Sequence, residues 1–149
     1  MLKGNFRHTI DKKGRIIVPS KLKRAISEAA EVAVIMLPGK NHCIELYPKD
    51  VWSKIEENIA RLNSNDPEVL KVIRFYAHNA HEEVLDSQGR ILIPAHLREY
   101  ARIELEKEII ITGTVRYIEV WNPEAMAKVA GNDRDEIDTI TARLPQWNY

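Results

Sequence analysis

Cysteine is almost absent from this 149-residue sequence, in which Cys43 stands alone. A single thiol cannot close an internal disulfide bond, so we expect a protein of the reducing cytoplasm. Long apolar runs are also missing, because no stretch approaches the roughly 18 residues that a membrane-spanning helix needs. The first residues, MLKGNFR, lack the apolar segment of a secretory signal. The sequence therefore predicts a cytoplasmic protein with no membrane partner.

The motifs of common catalytic and metal-binding sites are missing as well. The six glycines form no phosphate-binding loop, and no serine lies in a nucleophile-elbow motif. His78 and His81 could share one face of a helix, and His42 precedes Cys43, but no Cys-x-x-Cys motif or further ligand cluster accompanies them. We therefore predict that the protein is not an enzyme and has no catalytic residue, cofactor or metal site.

Net charge is also absent, since 22 basic residues balance 22 acidic ones. The distribution along the chain is uneven, however. Residues 1–24 contain eight lysines and arginines against Asp11 alone, a net charge of +7, so the other 125 residues carry −7. A basic N-terminal region on an acidic body would direct nucleic acid to one face of the protein. A solvated lysine-rich segment without a partner is the alternative, and charge alone does not decide between the two.

The sequence does contain an internal repeat. Asp11-Lys-Lys-Gly-Arg-Ile-Ile-Val-Pro19 recurs as Asp86-Ser-Gln-Gly-Arg-Ile-Leu-Ile-Pro94 at an offset of 75 residues. Further along, Ile44-Glu-Leu-Tyr47 matches Ile118-Glu-Val-Trp121 at an offset of 74. Two matches in the same order, at nearly constant spacing, indicate a duplicated structural unit.

The sequence of each copy predicts a hairpin with a tight turn, followed by a helix. Asp11 and Asp86 open type I turns, and Gly14 and Gly89 take the left-handed position that a β-carbon disfavours. A β-branched strand follows and ends at a proline, which suits the first turn of a helix. We expect these helices at about 20–30 and 95–102, then strand pairs at 32–37 with 43–47 and at 109–112 with 117–121, joined by turns at Gly39 and Gly113.

Further helices are expected between and after the copies. The first covers about residues 49–62, and Asp66-Pro67 then predicts an N-cap and first helical residue for a second helix that ends near residue 80. A helix at 123–130, an interruption at Gly131-Asn132 and a final helix that carries Ile137, Ile140 and Leu144 complete the chain. We interpret the β-branched residues of the strands, together with Trp52 and Trp121, as core.

The repeated Asp-x-x-Gly-Arg-x-x-x-Pro motif with a helix behind it resembles the SpoVT-AbrB family of swapped-hairpin DNA-binding domains. Its two copies, within the segments 6–15 and 80–90, resemble the MraZ family specifically. The resemblance covers roughly residues 1–130 and implies an α+β fold, a small β-barrel of two interleaved AbrB-like repeats with surrounding helices. The expected division is 5–50 for the first repeat, 51–79 for a helical connector, 80–124 for the second repeat and 125–149 for a C-terminal helical segment.

The resemblance also implies a function. MraZ proteins are transcriptional regulators that bind repeated promoter elements of the cell division and cell wall gene cluster, and they form ring-shaped homo-oligomers. For this chain, the resemblance therefore implies double-stranded DNA with promoter repeats as a partner. It also implies association with the nucleoid and assembly into an octamer-like ring.

The residues expected to contact DNA are basic and lie at or before the turns: Arg15, Lys13, Lys12, Arg7, Lys3 and Arg90. Arg15 has a planar fork that suits phosphate or the O6/N7 edge of guanine, and Asp11 could orient this fork across the turn. The lysines at the turn tip are expected to contact phosphates. Because a carboxylate facing DNA would repel phosphate, we interpret four other residues as builders of the turns: Asp11, Gly14, Asp86 and Gly89.

The second turn departs from the first in charge. Ser87 and Gln88 replace Lys12 and Lys13, and residues 76–99, which correspond to 1–24, carry a net charge of −2. We therefore expect the first repeat to contact DNA more strongly than the second.

Two other interpretations stay open. An AbrB-like antitoxin would also bind DNA, but it usually has one motif and a disordered toxin-binding tail, whereas two motifs and no long polar tail are present here. From a different class, the chain could be an assembly module whose basic hairpin arm contacts a protein or an RNA.

Overall fold

This computed structural model describes residues 1–27 and 32–147 of the chain. These residues contain eight β-strands and six α-helices. The first repeat consists of β1 (Leu2–Thr9), β2 (Arg15–Ile17), α1 (Ser20–Ile26), β3 (Ala33–Pro38) and β4 (Ile44–Pro48). The connector consists of α2 (Lys49–Ala60) and α3 (Pro67–Asn79). The second repeat consists of β5 (His81–Val84), β6 (Arg90–Leu92), α4 (Ala95–Ala101), β7 (Glu108–Val115) and β8 (Ile118–Trp121). The helices α5 (Pro123–Val129) and α6 (Arg134–Thr141) follow.

The strands form two antiparallel sheets rather than the expected barrel. Six strands pair in the order β1–β7–β8–β4–β3–β5, and β2 pairs with β6 in a separate two-stranded sheet, here called the ribbon. The α+β class is confirmed, but a closed barrel is not formed. The ribbon strands have three residues each and pair with each other. Within the described residues, therefore, no strand bridges β1 and β5, and both remain edges of the larger sheet.

Four of the six strand pairings join the two repeats, and the other two, β3 with β4 and β7 with β8, lie within one repeat. β1 of the first repeat lies against β7 of the second, starting with Leu2 opposite Val115, and β5 of the second repeat lies against β3 of the first. In the ribbon, Ile16 lies opposite its repeat equivalent Ile91. The two predicted turns form, but the strands that flank each turn pair with the other repeat. The prediction that the two strands around each turn pair with each other is therefore wrong. Burial against the other repeat decides which strand each of them pairs with.

The main core lies between the six-stranded sheet and a layer made by the ribbon, α1 and α4. Ile16 and Ile91 of the ribbon are buried there, with Leu22 of α1 and Leu97 of α4. Side chains on the other face of the sheet pack against α2, α3 and α5. Ile35 and Leu37 of β3 pack with Trp52 of α2, and Cys43, Ile110 and Trp121 lie beneath α5. Trp52 and Trp121 are core, as predicted, and the central strands β3, β4 and β8 are largely buried on both faces.

The start of α3 follows the predicted capping chemistry. The Asp66 side chain accepts a hydrogen bond from the backbone N–H of Glu68 at 2.9 Å, and a proline occupies the first turn. The helix ends at Asn79, so His78 lies on the helix and His81 lies in β5. The helix face that these two histidines could have shared therefore does not exist.

Five helices end before their predicted ends, α3 and α5 by about one residue only. α1 ends at Ile26, because Ser27 is extended with φ −164°, and positions 28–30 of the predicted helix lie outside the described residues. α2 ends at Ala60, two residues before the predicted end. α4 ends at Ala101, because Arg102 adopts a left-handed conformation with φ 55°. The predicted helix ends came from the residue pattern alone, whereas the backbone conformation of the following residue determines where each helix ends.

Gly113 does not form the turn between β7 and β8, contrary to the sequence prediction. It lies inside β7 opposite Gly4 of β1, and the chain reverses at residues 116–117. A β-carbon on Gly113 would lie 2.5 Å from the backbone nitrogen of Lys3 and 2.6 Å from the carbonyl carbon of Leu2. Glycine is required here by the close approach of β1 and not by a turn.

Candidate nucleic-acid interface

The first turn, residues 11–15, is held together by the carboxylate of Asp11. Its Oδ1 accepts hydrogen bonds from the backbone N–H groups of Lys13 and Arg15, both at 2.9 Å, and its Oδ2 accepts one from Arg15 Nε at 2.8 Å. The backbone closes the same turn, since Asp11 N–H donates to the Arg15 carbonyl at 2.9 Å. Gly14 has a φ of 84°, the left-handed conformation predicted for it.

The second turn, residues 86–90, repeats this geometry. Asp86 Oδ1 accepts hydrogen bonds from the N–H groups of Gln88 and Arg90 at 2.9 Å, and its Oδ2 accepts one from Arg90 Nε at 2.8 Å. Gly89 has a φ of 77°. Because the same atoms are bonded at the same distances, the two arginines are held in equivalent ways.

Hydrogen bonding keeps both turn aspartates ionised. The backbone N–H of Arg15, then its side chain and the N–H of Lys13, lower the pKa of Asp11 below 3.8, although desolvation opposes them. The pKa of Asp86 is lowered in the same way, mainly by the backbone N–H of Arg90. Each carboxylate binds its arginine through Nε, and within the described residues neither arginine has a hydrogen-bond partner for its Nη groups. Both planar forks are therefore available for phosphate or guanine.

The register of the ribbon brings these arginines onto one surface. Arg15 lies opposite Leu92, and Ile17 lies opposite Arg90. Directly opposed residues of an antiparallel pair point to the same side, and successive residues alternate. Since the central Ile16 and Ile91 point into the core, the four others point outward. We call the outward side chains of Arg15, Ile17, Arg90 and Leu92 the ribbon face.

The two ends of the ribbon face differ in charge. Lys12 and Lys13 are exposed at the tip of the first turn, next to Arg15. Ser87 and Gln88 occupy the equivalent exposed positions of the second turn, at the opposite end of the ribbon. The positive potential is therefore stronger at the end that the first repeat supplies.

Beneath each turn lies a cationic side chain from the helix of the other repeat. A β-carbon on Gly14 would collide with the guanidinium of Arg98 in α4, and Lys23 in α1 lies about 4 Å from the same position on Gly89. A side chain at position 14 would therefore have to displace this guanidinium as well as adopt a positive φ. Each turn rests on the other repeat, which fixes the position of both arginines.

Lys3 and Arg7 do not join the ribbon face. They lie on β1, on the side opposite to Leu2 and Phe6, which contact the main core. Because the ribbon covers the other side of that core, Lys3 and Arg7 point away from it. Arg7 also forms an ion pair with Glu108. The structure therefore brings together four of the six predicted DNA-contact residues and separates the other two from them.

Ile17 and Leu92 are the residues of this surface that the sequence interpretation missed. Ile17 was assigned to the core as a β-branched strand residue, and Leu92 was not considered for the surface, but they are 50% and 43% exposed. The core assignment is wrong for Ile17, because strand alternation puts both residues beside the arginines. The signal was present in the sequence: in Arg15-Ile-Ile-Val18, a period of two groups Ile17 with Arg15.

His42 and Cys43, the other two residues considered as metal ligands, make structural contacts. His42 Nδ1 lies 3.0 Å from the carbonyl oxygen of Tyr100, and the buried Cys43 has its Sγ 3.7 Å from Glu119 Oε2. Burial, followed by the charge of Glu119, raises the pKa of the Cys43 thiol. No group of three histidine, cysteine or acidic side chains in the described ranges could hold a metal ion. None of the helices described is both long and apolar enough to cross a membrane.

Two equivalent turns that present arginines on a shared two-stranded ribbon define a class of β-ribbon protein suited to nucleic acid. Comparison with known proteins gives the family. The chain belongs to the MraZ family: the family model of the MraZ protein, described as antitoxin-like, matches residues 1–74 and 76–146, which are the two halves of the duplication. This is a family of transcriptional regulators and not of enzymes.

Curated relatives named Transcriptional regulator MraZ are similar to this chain over nearly its whole length. The protein of Desulfitobacterium hafniense is 38% identical over 135 residues, which cover 91% of this chain and 90% of its own. That of Heliobacterium modesticaldum is 37% identical over 144 residues, 97% and 96%. That of Caldanaerobacter subterraneus is 34% identical over 148 residues, 99% of each. A protein from Pyrococcus horikoshii with a solution structure aligns with 80% of this chain and 88% of its own, at a TM-score of 0.33 and 16% sequence identity.

Proposed function

We propose that this chain regulates transcription by binding double-stranded DNA through the ribbon face. The observation that carries the proposal is the pair of arginines, Arg15 and Arg90, each anchored through Nε and each with an Nη fork that has no partner in the described residues. A two-stranded ribbon fits the major groove, which is about 12 Å wide. There the fork of an arginine can donate two hydrogen bonds to the O6 and N7 atoms of guanine.

The exposed lysines of the first turn would hold the ribbon on the DNA backbone. Lys12 and Lys13 carry compact charges on flexible side chains, which suits contacts to phosphate. Such contacts add affinity without sequence preference. Because Ser87 and Gln88 replace them in the second turn, the first repeat would supply more of the binding free energy.

We further propose that the targets are the repeated promoter elements of the cell division and cell wall gene cluster, which the family resemblance implies. The protein would act in the cytoplasm, at the nucleoid. In a ring-shaped homo-oligomer, several ribbon faces would bind tandem promoter repeats together, and the high effective concentration would raise the affinity. The two repeats, with strands exchanged between them, would then correspond to AbrB-like swapped hairpins within one chain.

Fluorescence anisotropy tests the proposal, with a duplex from just upstream of the protein's own gene. A bidentate arginine–guanine contact contributes about 1–3 kcal/mol, so Arg15→Ala should weaken binding roughly 5- to 150-fold. Arg90→Ala should weaken it less, because Ser87 and Gln88 stand at the tip of its turn, where the first turn has Lys12 and Lys13. Arg61→Ala is the matched control: Arg61 is exposed at the end of α2, across the sheet from the ribbon, and its loss should leave binding unchanged.

Three outcomes would contradict parts of this proposal. If Arg61→Ala weakened binding as much as Arg15→Ala, the ribbon face would not be the DNA contact. Equal losses from Arg15→Ala and Arg90→Ala would remove the proposed difference between the repeats. If the duplex failed to bind at moderate salt while an RNA of the same sequence bound, the chain would be an RNA assembly module instead.

A further inference from the structure

We infer that Ile17 and Leu92 contact the methyl groups of thymines and so add sequence preference to the ribbon face. This inference rests on the DNA binding proposed above. Ile17 lies opposite Arg90 and Leu92 lies opposite Arg15, so each arginine has an aliphatic side chain directly across the ribbon from it. The ribbon face is thus a group of four side chains with the arginines on one diagonal and the aliphatic residues on the other.

The exposure of this pair distinguishes it from the rest of the ribbon. Ile17 is 50% and Leu92 is 43% exposed, whereas Ile16 and Ile91 between them are each 1% exposed. Neither exposed residue belongs to any of the three buried clusters. A single aliphatic side chain on a surface is ordinary. Two at equivalent positions of both repeats, on one face and beside partnerless arginine forks, indicate a surface that a ligand covers.

The charges around the pair indicate a polyanion rather than a second copy of the same face. Arg15, Arg90, Lys12 and Lys13 lie next to the pair, and the carboxylates of the two turns, Asp11 and Asp86, are bonded to the arginines. Two such faces brought together would oppose like charges, which disfavours the contact. Double-stranded DNA satisfies both kinds of side chain. Its phosphates and guanines bind the cations, and thymine presents its C5 methyl group in the major groove, where apolar side chains contact it.

The spacing of the ribbon face fits this assignment. Arg15 and Ile17 are two residues apart on one strand, a distance of about 6.8 Å. Successive base pairs are about 3.4 Å apart along DNA. An arginine and the next outward aliphatic side chain would therefore reach bases about two steps apart. The second strand offers the same two groups in the opposite direction, so the face should prefer sites that combine guanine and thymine.

The test compares two versions of one promoter duplex, taken from just upstream of the protein's own gene. One contains thymine, and the other is amplified with deoxyuridine triphosphate, so that uracil replaces thymine and only the C5 methyl groups are lost. Burial of one methyl group changes affinity about four-fold. The wild-type protein should therefore bind the uracil duplex about four-fold more weakly for each methyl group contacted. The variant Ile17→Ser with Leu92→Ser should bind the thymine duplex more weakly and lose most of the difference between the duplexes.

Val129→Ser is the matched control, because Val129 is 46% exposed on α5, across the sheet from the ribbon. It should keep the full difference between the two duplexes. Thermal melting followed by circular dichroism checks that each variant folds, and the wild-type comparison needs no variant at all. Equal binding of the wild-type protein to both duplexes would overturn the inference and leave the proposed DNA binding intact. Absence of binding to either duplex would overturn the proposed function as well.

Discussion

At the scale of single residues, Asp11 and Asp86 each accept hydrogen bonds from two backbone N–H groups and one arginine Nε. These bonds anchor Arg15 and Arg90 in equivalent ways, so the geometry of the two turns does not favour either repeat. The difference between the repeats comes from the residues at the tips. Two lysines stand at one end of the ribbon, and a serine and a glutamine stand at the other.

The contribution of the tip lysines can be measured through the salt dependence of binding. Each phosphate contact contributes about 0.9 to the slope of log affinity against log salt concentration. The variant Lys12→Ala with Lys13→Ala should therefore flatten the slope by about two units for each bound protomer. Promoter and scrambled duplexes should lose affinity in similar proportion, since phosphate contacts carry no sequence information.

The equivalent pair at the other turn supplies the control for this salt measurement. Ser87→Ala with Gln88→Ala removes two exposed tip side chains without removing a charge, and the slope should not change. An unchanged slope in the lysine variant would show instead that the first tip lies away from DNA. The basic region would then need another partner.

At the scale of elements, the exchange of strands depends on one close approach. β1 is an edge strand that pairs with β7 along eight residue pairs, and Gly4 lies opposite Gly113. The backbone of β1 occupies the place where a side chain at position 113 would begin. A residue larger than glycine there must push the first strand of one repeat away from the sheet of the other.

Gly113→Ala should therefore destabilise the protein, by about 1–3 kcal/mol if the strand shifts only locally. Urea denaturation of the wild type and the variant measures the free energy of unfolding. Gly131→Ala is the control, because a β-carbon there would meet only the end of the Ile137 side chain, at 3.2 Å. Its effect should stay below about 1 kcal/mol. Similar losses from both variants would show that the approach of β1 to β7 is not the constraint.

At the scale of the whole molecule, the two repeats share one main core, to which strands and helices of both contribute. The outer surface also carries features that bear on assembly. The edge strand β1 has exposed Lys3 and Arg7, and β5 has exposed His81 and Glu82, which disfavours addition of another strand. The connector helix α3, in contrast, exposes apolar side chains, with Val72 at 45% and Phe75 at 43%. Assembly should therefore use helices rather than sheet edges.

Light scattering with size-exclusion chromatography should show a homo-oligomer larger than a dimer. Val72→Glu with Phe75→Glu should lower its mass, because a charge would replace apolar contact at the proposed interface. Leu105→Glu is the control: Leu105 is 40% exposed in the segment between α4 and β7, and its change should leave the mass unaltered. A monomeric wild-type protein at micromolar concentrations would refute ring assembly, and an unchanged mass in the double variant would exclude α3 as the interface.

Several features of this protein were determined by the sequence alone, and all of them act over a few residues. Asp11 and Gly14 specify their turn because a side-chain acceptor and a left-handed residue are needed within five positions. Asp66 and Pro67 specify a helix start in the same way. The repeat of the motif then predicted a second, equivalent turn. Because alternate residues of a strand share one face, the sequence also placed Ile17 next to Arg15, although the aliphatic character of Ile17 favoured a core assignment.

Only the tertiary structure decided which strands pair and therefore what the turns present. Gly113 could not be distinguished from a turn glycine, since the backbone that excludes its side chain belongs to a strand more than 100 residues away. The pairing of β2 with β6, which places Arg15 and Arg90 on one face, was equally hidden. The same is true of the sheet that stays open at β1 and β5. Strand partners are chosen by the burial of apolar surface between distant segments, and the pattern within one segment does not specify them.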